Sequence, residues 1–177
     1  MSAGHTLMTI FAMMLLTTIL LNFYKLLNAN GDVVNSGQDG ILMSTLATSY
    51  AELASGLSFD SVTDTSTIAY KDATKLTPSS KLGTEDPSEV DVFDYNDFDD
   101  FNGPTYSGTT IDQQANGTNR TYRLSFKVQY VKPENIQISS STQTFVKRLD
   151  IKVWRIFPRG QTDTLKVSTV KGYFAFS

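Results

Sequence analysis

The hydrophobic and polar positions divide the chain into three stretches. From Met1 to Tyr24 no side chain is charged, and Lys25 is the first that is. Within that stretch, Leu7 to Leu16 is apolar on every helical face, the pattern of a helix surrounded by lipid or protein. At 1.5 Å per residue, a helix over Met1–Tyr24 reaches about 35 Å, enough for a hydrocarbon core of about 30 Å. From Asn28 to Gly40 the chain gathers three glycines and three asparagines, each glycine costing a helix about 1 kcal/mol against alanine. Val34, Ile41, Leu42, Thr45, Leu46, Ser49 and Leu53 then recur at helical spacing, as one apolar stripe with a polar back. The expectation is one long helix over residues 3–54, locally unwound between 28 and 40, with Gly56 as its stop.

Residues 57–120 are rich in Ser, Thr, Asp, Gly and Asn and have few periodic runs, so they read as long loops with short strands. The alternation then becomes strict. Tyr122, Leu124, Phe126, Val128 and Tyr130 interleave with Arg123, Ser125, Lys127 and Gln129, a half-buried strand. Leu149, Ile151 and Val153 interleave with Asp150, Lys152 and Trp154 in a second strand. Phe157 to Gln161, with Pro158 and Gly160, predicts a turn, and Leu165 through Phe176 a third strand. Antiparallel pairing is the economical topology for such neighbours. The fold class is therefore α+β: residues 1–27 an apolar anchor, 28–55 the amphipathic half of the same helix, 56–177 a β-rich head.

Composition narrows the chemistry. The chain has no cysteine, which excludes disulfides and thiolate sites, and its single histidine, His5, lies in the apolar stretch. A histidine-based catalytic triad or metal cage is not expected. The net charge of −3 conceals a segregation. Residues 56–120 carry twelve acidic and four basic side chains, residues 121–177 three acidic and ten basic. The basic stretch, Lys147 and Arg148 included, alternates with apolar residues and reads as the solvated face of strands, so no nucleic-acid partner is expected. Opposite patches of this kind would steer contacts between neighbouring heads.

Asp91 to Asn102 raises the question of calcium, which favours clustered carboxylate oxygens. Counted as an EF-hand loop from Asp97, Asp99 fits, but Phe101 and Asn102 fall out of phase and Gly103 comes one residue late. The stretch reads instead as a solvated turn with Phe93, Phe98 and Phe101 tucked beneath it. Glu52 is placed on the polar edge of the helix, and His5 is read as a neutral histidine or a pH-sensitive assembly residue. Asn116-Gly117-Thr118 and Asn119-Arg120-Thr121 match glycosylation sequons. No catalytic residue, cofactor or metal ligand is assigned, and an enzyme is not expected.

A cleaved secretory signal would carry a basic start and a small-x-small cleavage site. Here no Lys or Arg precedes the apolar run and no Ala-x-Ala follows it, so the helix is expected to be retained. A long N-terminal helix, apolar then amphipathic, ahead of an antiparallel sheet resembles the type IV pilin superfamily, pseudopilins of type II secretion included. Gly4-His5-Thr6-Leu7-Met8-Thr9 is similar to that family's processing motif Gly-Phe-Thr-Leu-Ile-Glu. His5 then follows the cut and Thr9 replaces the glutamate. In the other register, which is preferred, Met1 is the mature first residue, Tyr24 falls where pilins often carry tyrosine, and His5 replaces the glutamate. Asp94 to Gly103, Lys147 to Trp154 and Thr164 to Val170 also resemble minor-pilin segments. The resemblance implies a homopolymeric helical filament, inserted in the inner membrane before assembly, handled by a pilus assembly machinery and displayed at the cell surface. The alternatives are a signal-anchored periplasmic or surface binding domain and a minor pseudopilin of a secretion system.

Overall fold

The computed structural model describes residues 3–64, 71–103, 105–115, 118–157 and 164–174. Helix α1 runs unbroken from Ala3 to Gly56. The expected unwinding between 28 and 40 does not occur. The first proline is Pro78, so nothing in α1 removes a backbone donor. The glycine cost is spread over thirteen residues, and a break would create two new frayed ends and a second helix nucleus. Propensity alone does not outweigh that.

The chain divides into two compact units, residues 1–41 and 42–177. In the first, every described residue from Ala3 to Asn35 is exposed. Val34 and Ile41, expected in the buried stripe, are 59% and 69% exposed. The stripe that does bury begins one residue later, in the second unit. Met43, Ala47 and Ala54 form its centre, flanked by Leu46, Tyr50 and Leu53. The two fully buried helix positions, Ala47 and Ala54, belong to the same core cluster as the inward side chains of the sheet.

The second unit is built on β1 (Thr105–Ala115), β2 (Thr118–Lys132), β3 (Asn135–Ser139), β4 (Val146–Phe157) and β5 (Thr164–Gly172). The sheet order is β1-β2-β4-β5, all antiparallel, with β3 paired to the far end of β2. The three expected strands are β2, β4 and β5. The last ends at Gly172, paired with Val146 at the start of β4, and one further backbone bond, Tyr173 N to Phe145 O at 2.9 Å, follows it. Of the expected turn after Phe157, Pro158 to Gln161 lie outside the described residues. Strand β1 lies in the stretch read as long loops with short strands and is longer than that reading expects: its sequence has no sustained apolar alternation, and pairing with β2 makes it a strand.

The inward face of the sheet carries Leu124, Val128, Leu149, Ile151 and Val153, all at most 2% exposed. Phe126 joins helix to loop: its ring lies 5.4 Å from Tyr50 and 5.4 Å from Phe101. The outward face carries exposed Lys127, Lys152 and Lys166, with Lys152 and Lys166 directly paired across strands. Lys147 is the exception to the solvated basic face. It pairs with Tyr130, shares the inward parity of Leu149 and Ile151, and is 0% exposed.

Candidate functional site

The segment between α1 and β1 is closed by one parallel bridge, Ser58 with Asp97. Ser58 N donates to Asn96 O at 3.3 Å and Phe98 N to Ser58 O at 3.0 Å. This clip sets Phe59 and Asp60 beside the 3-10 turn Asp99–Phe101. Phe98 and Phe101 are fully buried, as expected, and seat the turn in the core. Phe93, expected with them, is 80% exposed. The aspartates do not form a solvated turn: Asp97, Asp99 and Asp100 are all 0% exposed. With two aromatic rings anchored on either side, the turn has no path to water that leaves those rings inside.

Lys147 enters this segment from β4. Its ammonium donates to Phe59 O at 2.8 Å, to Asp60 Oδ2 at 2.9 Å and to Asp99 Oδ1. All three ammonium protons are thereby used. The ammonium also lies 4.6 Å from the centre of the Phe59 ring. Asp60 accepts further from Thr77 N at 3.0 Å and Thr77 Oγ1 at 2.8 Å, while Tyr130 OH, 3.3 Å from Asp60 Oδ2, has its shorter bond to Thr77 O at 2.8 Å. Burial pushes the Asp60 carboxyl up, but the Lys147 charge and the Lys147 and Thr77 hydrogen bonds outweigh it and hold it below its ordinary value. At Asp99 burial wins over Lys147, and the carboxyl is raised.

Further carboxylates converge on the far side of Asp99. Asp97 Oδ1 accepts from Asp99 N at 2.7 Å, and Asp100 Oδ2 from Asn96 N and Asp97 N, both at 3.0 Å. Asp97 Oδ2, Asp99 Oδ2 and Asp100 Oδ1 are buried with no hydrogen-bond partner among the described residues. Glu85 and Glu89 approach from the preceding loop. The carboxylate oxygens of Glu85, Asp97 and Asp99 lie within 4.8 Å of one another, as do those of Glu85, Glu89 and Asp100. Burial, then repulsion from Asp97 and Asp100, raises Glu85 to about 7. Burial raises Asp100 to about 6, and burial with the neighbouring Asp99 charge raises Asp97.

Asn102 holds the Glu85 loop in place. Its Nδ2 donates to Leu82 O at 2.9 Å, and its Oδ1 accepts from Val128 N at 3.0 Å, tying the loop to β2. Gly83 has φ +134°, and a Cβ there would meet Asn102 O at 2.8 Å. Only glycine gives this close approach in that backbone region without strain.

The other sequence candidates lie elsewhere. Glu52 is exposed on α1, as expected, and His5 is exposed near its start. Asn119 falls in β2, whereas Asn116 lies outside the described residues. Sequence reading missed Lys147, Glu85 and Glu89. The parity of Lys147 with Leu149 and Ile151 was a usable signal; nothing in the local pattern marks the two glutamates.

The second candidate surface is α1 itself. Its most apolar 18-residue window has a mean hydropathy of 1.9 and is 0% buried, long and apolar enough to cross a membrane. The threonine hydroxyls in this stretch are satisfied within the helix: Thr6 donates to Ala3 O, Thr9 to Thr6 O, Thr17 to Met13 O and Thr18 to Met14 O, at 2.8–2.9 Å. No family model matches the chain, and neither a curated protein nor a solved structure matches it. The fold is a long N-terminal apolar helix leading into an antiparallel sheet, consistent with a pilin-like arrangement.

Proposed function

We propose that this chain is a structural subunit of an extracellular filament of the type IV pilus kind. In this reading α1 anchors it in the inner membrane before assembly, a pilus assembly machinery extracts it, and the same helix bundles with its copies afterwards. One observation carries the reading: from Ala3 to Asn35 a helix without a break exposes its whole circumference, with large apolar side chains such as Leu7, Met8 and Phe11 at 66–74%. A surface that apolar requires lipid or other protein around it. The intrahelical threonine bonds suit both, since each hydroxyl has its acceptor without water. In a filament the helix exchanges lipid for neighbouring helices, with Met8, Met13 and Met14 as adaptable fillers. The cohesion is packing, and the heads supply the surface. No enzymatic step and no nucleic-acid partner enter the proposal.

The test compares two classes of variant at matched subunit expression, counting filaments in sheared cell-surface material by electron microscopy. Ile10→Asp or Leu16→Asp places a charge on the apolar helix, at a cost of about 2.5–3.5 kcal/mol per subunit near a bilayer centre, and filaments are expected to vanish. Lys152→Glu with Lys166→Glu reverses the exposed basic pair, and filaments are expected to persist with altered salt sensitivity. Lys147 is excluded from such a reversal because it is buried. Abundant filaments from the helix variants would overturn the proposal. An unmutated chain that stays in the membrane without any polymer would overturn it as well, in favour of the anchored binding domain.

A further inference from the structure

We infer that the carboxylate cluster of the second unit is a binding site for one hard divalent cation of calcium type, with Glu85, Asp97 and Asp99 as its protein ligands. The inference does not rest on the filament reading. Calcium takes oxygen ligands at about 2.3–2.6 Å, so oxygens sharing one ion lie within roughly 4.6–5.2 Å of each other. The oxygens of Glu85, Asp97 and Asp99 meet that condition, all lying within 4.8 Å of one another.

Proximity of acidic groups alone would be a weak argument. The independent observation is that Asp97 and Asp99 are 0% exposed, and each keeps one oxygen, Oδ2, without a hydrogen-bond partner among the described residues. A buried carboxylate oxygen with no donor is costly, and native structures satisfy such groups. The nearby ammonium does not satisfy them. Lys147 already spends its donors on Phe59 O, Asp60 and Asp99 Oδ1. Lys171 donates to the Ser55 and Leu57 carbonyls. A divalent ion is the ligand whose charge and geometry match what remains.

The donor set selects the class. It is all carboxylate, with no cysteine in the chain and the one histidine at His5. Hard cations prefer such oxygens, and calcium tolerates the irregular geometry that magnesium does not. Glu89 fits less well as a ligand, because both its oxygens already accept, from Asp86 N at 3.2 Å and from Asn96 Nδ2. With Asp100 it enlarges the negative field on the other side of Glu85. Glu85 is exposed, so it offers the entry from solvent, and water completes the coordination.

The experiment uses the full chain in detergent, stripped with a chelator and titrated with calcium chloride, with magnesium chloride and with sodium chloride at matched ionic strength. Calorimetry reads affinity and stoichiometry, and the fluorescence of Trp154, the single tryptophan, reads the melting temperature. The expected result is one calcium per chain and a melting point that rises as calcium passes its dissociation constant. Glu85→Gln and Asp97→Asn should each weaken calcium binding by about tenfold or more, the loss expected when one charged ligand is removed. Glu85 is exposed, so its variant should fold like the parent, and its melting point in chelator should match or exceed the parent's. No heat and no shift with calcium up to about 10 mM, beyond the weakest range of calcium modules, would overturn the inference. So would calcium shifts in both variants equal to the parent's, an equal response to sodium chloride, or tighter binding of magnesium.

Discussion

Lys147→Met is the most informative perturbation of the head. The side chain is 0% exposed and its two carboxylate partners, Asp60 and Asp99, are 0% exposed as well. Methionine keeps the length and apolar bulk of the stem, so the change removes the charge and little packing. Removing one partner of a buried ion pair typically costs about 3–5 kcal/mol, because an uncompensated charge is left inside. Asp60 retains two donors from Thr77, its N and its Oγ1, whereas Asp99 loses the ammonium from its Oδ1 and already lacks a partner at Oδ2. Most of the cost should therefore fall on Asp99, and a second change, Asp99→Asn, should restore part of the loss. Against a total stability of about 5–15 kcal/mol the effect is large. At roughly 4 °C per kcal/mol for a head of this size, the melting point should drop by about 10–20 °C.

The pH dependence gives the same prediction a second reading. In the parent, Asp60 is held below its ordinary value, so its contribution is present above the unfolded value and lost as pH falls through the folded one. In the variant, Asp60 loses the opposing cation and is raised by burial, and Asp99, already raised in the parent, rises further, so more stability is lost than in the parent as pH rises from about 4 upward. Both trends make the difference between the two proteins shrink on acidification. Urea unfolding in detergent and chelator, followed by Trp154 fluorescence and by β-sheet circular dichroism at pH 5 and pH 7.5, measures it. A loss below about 1 kcal/mol at pH 7.5, the size of an exposed pair, would refute the buried-triad reasoning. A difference that grows on acidification would refute it equally.

Other outcomes follow from the same geometry. Gly83→Ala should cost about 1–3 kcal/mol in the same unfolding assay, because φ there is +134° and a Cβ would meet Asn102 O at 2.8 Å; an unchanged midpoint would show the loop adapts. Gly31→Ala, Gly37→Ala and Gly40→Ala together meet no atom within 4 Å and should strengthen α1 by about 1 kcal/mol each. Slower amide exchange over residues 28–40 would register it, and unchanged or faster exchange would contradict it. Deleting residues 1–27 should leave a soluble, monomeric chain with a dispersed amide spectrum, since no described residue up to Asn35 is buried; aggregation would show that the anchor also protects the head.

The periodic elements are legible along the chain without its fold. An uncharged run of 24 residues can form little other than a helix in apolar surroundings, and strict alternation from Tyr122 to Tyr130 can bury only one face as a strand. These signals are local, because each residue's partner is set by the 3.6 or 2.0 repeat of its own element. The features that spacing does not foretell have partners far along the chain. Strand β1 lacks alternation and exists because β2 offers it an edge. The apolar stripe that packs on the core begins at Leu42 and not at Val34, which lies in a stretch of α1 exposed from Ala3 to Asn35. The aspartates of 97–100 read as solvated because aspartate usually is, and neither the Ser58–Asp97 bridge nor the seating of Phe98 and Phe101 can be read from spacing. Lys147 stands between the two cases. Its parity with Leu149 already placed it on the inward face, but its acceptability there depends on Asp60, 87 residues away, and Asp99, 48 residues away. A buried charge is stabilised by partners the fold brings to it, and sequence separation carries no trace of that distance.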